Sequence, residues 1–246
     1  MRASFVFLAV AMLAACVSPQ RVARSEAKLE LGAAYYREGD VEGALATLRE
    51  AVRLDPRAWK PLNALGVVYI ARGEHALAEE SFQRALRLAP DEAEILNNYG
   101  TLLVDLGRNE EAVARFQAAL KDLDYRNMSM VHSNLAFALL QTGRLDEALR
   151  HAREATRRAP TLCRAWYNLG RVMEAKKDAP AALEAYSEVA RICPDESTGA
   201  LIRVGCLHVQ TGSVEEGSGI LRDVVARHPG TSYADEARAC LRTSGN

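Results

Sequence analysis

The chain has 246 residues, 49% of them apolar and 26% charged, with a formal net charge of −1. That balance suits a folded globular protein. With no basic run, stacking aromatic set or acidic tail, it offers no footprint for nucleic acid, and the low aromatic share beside abundant Leu, Ala, Glu and Arg favours packed helices over a β-sandwich.

At the N-terminus Arg2, an apolar stretch from Phe5 to Leu13 and the small pair Ala14-Ala15 form the pattern of a signal peptide over residues 1–15. The apolar run is shorter than the roughly 20 residues of a membrane-spanning helix. Leu13-Ala14-Ala15-Cys16 resembles the lipobox of bacterial lipoproteins, which implies that Cys16 is acylated and becomes the mature N-terminus. Two or more acyl chains hold a membrane stably, whereas one myristoyl-length chain binds with K of about 10⁴ M⁻¹. Val17 stands where aspartate would retain such a lipoprotein elsewhere, so the same resemblance implies the outer membrane, with the domain facing the periplasm. Residues 16–24 then read as the anchored cysteine and a short linker, and the covalent lipid is the one non-protein group expected; no cofactor or metal is.

From Ser25 onward the sequence repeats with a period of about 34 residues, the length of a tetratricopeptide repeat (TPR). Copies fall at residues 25–58, 59–92, 93–126, 129–162, 163–196 and 198–231, followed by a C-terminal capping helix and tail over 232–246. The second copy carries Leu65, Gly66 and Tyr69 in its first helix, Ala78, Phe82 and Ala85 in its second, and Pro90 at its end. The first has Gly32, Tyr35, Ala44, Ala51 and Pro56, the third Gly100, Ala112 and Phe116, the fourth Leu135, Ala136, Ala148 and Pro160, the fifth Trp166, Gly170, Ala182 and Tyr186. The sixth is the most degraded, with Gly205, Leu221 and Pro229. Small residues let paired helices approach, glycines such as Gly39 and Gly73 turn the chain, and prolines end second helices because they lack an N–H. A single hairpin cannot bury its apolar face, so the expected fold is all-α: a right-handed superhelical solenoid of six TPR hairpins.

Three departures from the pattern carry expectations. Two residues are inserted around Asn127-Met128, which predicts a lengthened turn before the fourth copy. In the fifth copy Lys176-Lys177-Asp178 replaces the glycine turn, with Asp178 expected to cap the next helix and Pro180 tolerated in its first turn. Gly212, Gly217 and Gly219, read as helix-interior glycines costing up to about 1 kcal/mol each, predict a softer C-terminal end.

No catalytic constellation is visible. His75, His132, His151, His208 and His228 are scattered, with no pair at the i, i+4 spacing of two ligands on one helix face. The acidic pairs Glu110-Glu111 and Asp146-Glu147 begin second helices, where negative charge suits the helix dipole. A binding protein is the better expectation. In TPR proteins the first helices line a concave groove, and the corresponding residues here are Asn63, Val67, Ile70, Asn97, Asn98, Thr101, Ser133, Asn134, Phe137, Leu140, Tyr167, Asn168 and Arg171. Asparagines can donate to and accept from a peptide backbone while Ile70, Phe137 and Tyr167 anchor it; a share of the asparagines is equally suited to bonding neighbouring helices. The lysine and arginine cluster of chaperone-binding TPRs is absent from this set, and no small-molecule substrate is expected.

The four remaining cysteines permit disulfides in an oxidising compartment. Cys163 opens one helix of the fifth hairpin and Cys193 ends the other, so they are the expected pair. Cys206 and Cys240 occupy equivalent places in successive helices, whose axes lie about 8–10 Å apart, and are expected to stay unbridged.

A lipobox followed by six TPRs and little else resembles the outer-membrane lipoproteins of type IV pilus biogenesis, the PilF, PilW and Tgl pilotin family. The resemblance covers essentially the whole chain. It implies a non-enzymatic protein that binds subunits of the secretin, the pore through which the pilus exits, and promotes their localisation, assembly and stability. A TPR lipoprotein that recruits cell-wall synthases or hydrolases is the alternative.

Overall fold

The computed structural model describes residues 17–243, so the signal peptide and the acylation of Cys16 lie outside the described residues. Helices α1 (Pro19–Arg37), α2 (Val41–Leu54), α3 (Trp59–Ala71) and α4 (His75–Leu88) form a first unit of two hairpins that ends at Pro90. A second unit begins at Asp91 and contains α5 (Ala93–Asp105), α6 (Asn109–Ala119), α7 (Met128–Gln141), α8 (Leu145–Arg158), α9 (Cys163–Ala175), α10 (Ala179–Ile192), α11 (Thr198–Gln210), α12 (Val214–Arg227) and α13 (Ser232–Thr243). No strand occurs among the described residues. The fold is all-α and built from TPR hairpins, and α13 caps the second unit by packing on α11 and α12.

Local chemistry explains the helix ends. Ser18 caps α1 by accepting from the Arg21 N–H, with Pro19 in the first turn, so α1 begins upstream of Ser25 and takes in most of the residues read as linker. Asp178 accepts from the Ala181 N–H and caps α10, with Pro180 in its first turn. Turns between paired helices use glycine at positive φ, as at Gly107 (φ 72°); the fifth hairpin puts Lys177 at φ 62°, where a side chain is disfavoured. The inserted residues lengthen the connection before α7, which runs from Leu120 to Asn127, whereas Ala159–Leu162 suffices between α8 and α9.

Helices cross where a glycine faces a ring. A Cβ on Gly100 would stand 2.6 Å from Phe116, and one on Gly170 would stand 2.5 Å from Tyr186, so both positions require the missing side chain. Phe116 and Tyr186 are fully buried, and the apolar core continues through the second unit.

Two expectations need correction. Gly212 lies in the α11–α12 turn at φ 95° and not in a helix, and a Cβ on Gly217 would come within 2.5 Å of the Gly205 carbonyl oxygen. Gly219 is the one of the three that is both inside a helix and facing open space, so the other two serve a turn and a tight crossing and do not loosen the end. The second correction concerns the cysteines. Cys163 and Cys193 are joined, with Cα atoms 6.3 Å apart, and so are Cys206 and Cys240, at 5.5 Å. Axis spacing misleads for facing residues: each Cα stands about 2.3 Å from its helix axis, so axes about 10 Å apart bring inward-facing Cα atoms to about 5–6 Å.

Candidate partner-binding site

Helix spacing brings residues four, three and seven apart onto one face, and in the second unit this aligns the inner faces of α5, α7 and α9. They surround a hollow of about 260 Å³ lined by Thr101, Val104 and Asp105 from α5, Asn134 and Phe137 from α7, and Arg164, Tyr167, Asn168 and Arg171 from α9, with Phe116 beneath. Six of the groove residues expected from the sequence are therefore gathered at one place: Thr101, Asn134, Phe137, Tyr167, Asn168 and Arg171. Asn98 and Leu140 are half-buried on the same helices but outside the hollow. Asn63, Val67 and Ile70 belong to α3 of the first unit, where Asn63 is buried and the other two are half-buried.

The amides divide into two kinds. Asn97 and Asn168 are 6% and 5% exposed, too little to meet a ligand broadly. Asn168 Nδ2 donates to both the backbone oxygen and Oγ of Ser133, each at 3.0 Å, and Asn134 Nδ2 donates to Asn97 Oδ1 at 3.1 Å. These bonds tie α5 to α7 and α7 to α9. Asn134 Nδ2, Asn168 Nδ2 and Asn97 Oδ1 are engaged between helices, so these asparagines set the spacing of the walls, and Ser133, fully buried, shares that role.

The ligand-facing chemistry belongs to the rings and the arginines. The Arg171 guanidinium lies over the Phe137 ring, 4.8 Å from its centroid, a cation–π contact that holds both side chains at the rim. The Tyr167 ring packs against Tyr186 at 5.6 Å between centroids, and burial raises the Tyr167 hydroxyl above its usual range, so it remains a neutral donor. Behind it Tyr186 donates to Glu174, which Arg203 also grips at 2.6 Å. Arg164 and Arg171 make no salt bridge among the described residues. Sequence reading overlooked Arg164, although it sits three positions before Tyr167 and seven before Arg171, the spacing of one helix face. The hollow thus combines an apolar floor, a phenol, the Asp105 carboxylate and two guanidinium groups outside any salt bridge among the described residues, one of them stacked on Phe137.

A second feature escaped the sequence entirely. His132 on α7 and His151 on α8 stack at 5.1 Å between ring centroids, and their Nδ1 atoms are 2.9 Å apart. One Nδ1 must carry the hydrogen and the other accept it. Burial first, then the neighbouring His151, lowers His132 to about 4; burial and Arg150 lower His151 as well. No group of three or more His, Cys, Asp or Glu side chains able to hold a metal occurs among the described residues.

Tetratricopeptide-repeat family models match residues 21–59 and 29–93 in one form and 62–165 in another. Among solved structures, Pseudomonas aeruginosa PilF is 25% identical with a TM-score of 0.76, over 89% of this chain and 99% of that one. PilW, described as a widely conserved type IV pilus biogenesis factor, is 23% identical with a TM-score of 0.80, over 86% and 96% of the two chains. Cut9, from an anaphase-promoting-complex hetero-tetramer with Hcn1, reaches a TM-score of 0.81 at 16% identity but over 43% of its own length, so superposition alone reports the repeat and not the task. No curated protein sequence matches the chain.

Proposed function

The chain is a tetratricopeptide-repeat protein, and we propose that it is an outer-membrane lipoprotein of the pilotin type, anchored through Cys16, that holds secretin subunits during assembly of the type IV pilus pore. Tgl is its proposed counterpart within that group. One observation supports this reading above the others: the likeness to PilF and PilW runs nearly end to end in both chains, so little besides the shared repeats remains to carry a different role. The lipobox supplies the tether, and tethering raises the effective concentration of the α5–α7–α9 hollow for a subunit arriving at the same membrane. The hollow suits an extended protein segment that seats an apolar side chain on Phe137 and Tyr167 and offers an acidic or carbonyl group to Arg164 and Arg171. Nothing in this role requires catalysis.

Affinity capture from membranes tests the reading. Secretin monomers should be recovered with the wild type and lost with Phe137→Glu, while circular dichroism shows unchanged helix content. Secretin multimers should disappear from the outer membrane on deletion and fail to return with Cys16→Ser. Recovery of cell-wall synthases in place of secretin, or full assembly with Cys16→Ser, would overturn it.

A further inference from the structure

We propose that the end of the first unit nearest the N-terminus is a docking face for an anionic lipid surface. The antiparallel course of α1 and α2 brings the start of one beside the finish of the other: Arg21 Nη2 donates to the Arg53 carbonyl at 2.9 Å and Ser25 Oγ to that of Ala51 at 2.8 Å. The α2–α3 connection and the first turn of α3 adjoin them, since Val22 and Leu29 of α1 share a small hollow with Ala58, Trp59 and Lys60. This one end therefore presents Arg21, Arg24, Arg53, Arg57 and Lys60, all exposed, and none forms a salt bridge among the described residues. Three carboxylates stand among or beside them: Glu26, Asp55, which already accepts the Arg57 N–H, and Glu50, which pairs with Lys28 at 2.7 Å and also feels Arg53 and Arg24.

Helix electrostatics does not account for the cluster. Arg53 suits the C-terminal turn of α2, but Arg21 and Lys60 sit in the first turns of α1 and α3, where the dipole is positive and cations are unfavourable. Neither helix has an acidic residue in its first turn. At the other end of these hairpins the charges are mixed, and Arg72 is gripped by Glu42 at 2.6 Å and Glu74 at 2.9 Å. The unit is thus electrically polar, and its positive end is the one from which the chain runs back to Cys16.

A lipid surface fits this end better than a small anion. The cations are spread over three segments, and of the five only Lys60 lines the small hollow beside them, where Glu26 and Asp55 would oppose a single phosphate. Trp59 lies among them, half-buried, with the Lys60 ammonium 5.7 Å from its ring centroid, the pairing of an amphipathic ring and a long cationic stem that favours a headgroup layer. Attractions of several cations to an anionic surface add and are screened by salt, so five give a strong and salt-sensitive preference.

Vesicle flotation tests the proposal with the chain from residue 16 onward carrying Cys16→Ser, which removes both the apolar run of residues 5–13 and any acyl contribution. Partition onto phosphatidylcholine vesicles containing phosphatidylglycerol should exceed that onto phosphatidylcholine alone by more than about tenfold at low salt and lose the difference at high salt. The triple variant Arg24→Glu, Arg57→Glu, Lys60→Glu should abolish the preference while circular dichroism shows unchanged helix content, since all three side chains are exposed. Arg57→Glu alone, in a loop, should weaken the preference several-fold, and Arg150→Glu should leave it intact. Equal partition onto both vesicles, or a preference that survives the triple variant, would overturn the proposal. Salt-resistant binding of the unmutated chain to neutral vesicles reports acylation of Cys16 and not these cations, so the anchor and the docking face fail separately.

Discussion

Within the second unit, neighbouring helices are joined by two different chemistries. From α5 to α9 the links are amide hydrogen bonds, Asn134 to Asn97 and Asn168 to Ser133. From α9 onward they are disulfides, Cys163 to Cys193 within one hairpin and Cys206 to Cys240 between α11 and α13. The amides beside the hollow define wall spacing and are reversible; the covalent links hold the end where the repeat pattern is weakest and depend on the redox state. A glycine-rich, degraded repeat is therefore not synonymous with a loose one.

The strongest way to break this contrast is reduction. Loops of 30 and 34 residues closed by the two bridges correspond to about 3–4 kcal/mol each by chain entropy. Under reductant, amide exchange in α11–α13 should accelerate sharply while α5–α8 stays protected; equal acceleration in both would remove the distinction. Next in size is Asn168→Leu, which leaves buried Ser133 groups without their donor and should cost about 1–3 kcal/mol, read from the denaturant midpoint, with α11–α13 unaffected.

Acid should act on the amide-linked part through His132 and His151. Their folded-state values are lowered, so the unfolded chain takes up protons first: the stabilisation is complete above the ordinary value of 6.5 and is lost as pH falls toward about 4. The charges facing the pair, Glu147, Arg150, Glu154, Arg157 and Arg158, all come from α8, and Glu154 is itself held near 2 by Arg157 and then Arg158. His132→Leu, matching Leu62 and Leu96 at the same repeat position, should flatten melting temperature against pH over that interval. The smallest effect is expected from Lys177→Gly, which relieves a left-handed residue and should stabilise the fifth hairpin by up to about 1 kcal/mol in a thermal melt.

Features governed by local backbone chemistry were readable from the sequence: the helical hairpins, the Asp178 cap and the long connection before α7 all follow from glycine, proline and spacing. Features that depend on which side chains meet across helices were not. His132 and His151 are nineteen positions apart, and only the antiparallel register of α7 and α8 makes them neighbours. Axis spacing argues against the Cys206–Cys240 bridge because it ignores how far facing residues lean inward. Arg164 lies outside the consensus groove positions of the repeat, yet its helical spacing to Tyr167 and Arg171 places it on their face.

The early start of α1 has a geometric consequence. Only Val17 and Ser18 separate Cys16 from Pro19, and three Cα steps at about 3.3–3.6 Å each give a leash of about 10 Å. A chain acylated at Cys16 would sweep only a thin shell above the bilayer and could not reach for a distant subunit, so encounters would be set by two-dimensional diffusion of the anchored protein and by the orientation in which its first hairpin rests.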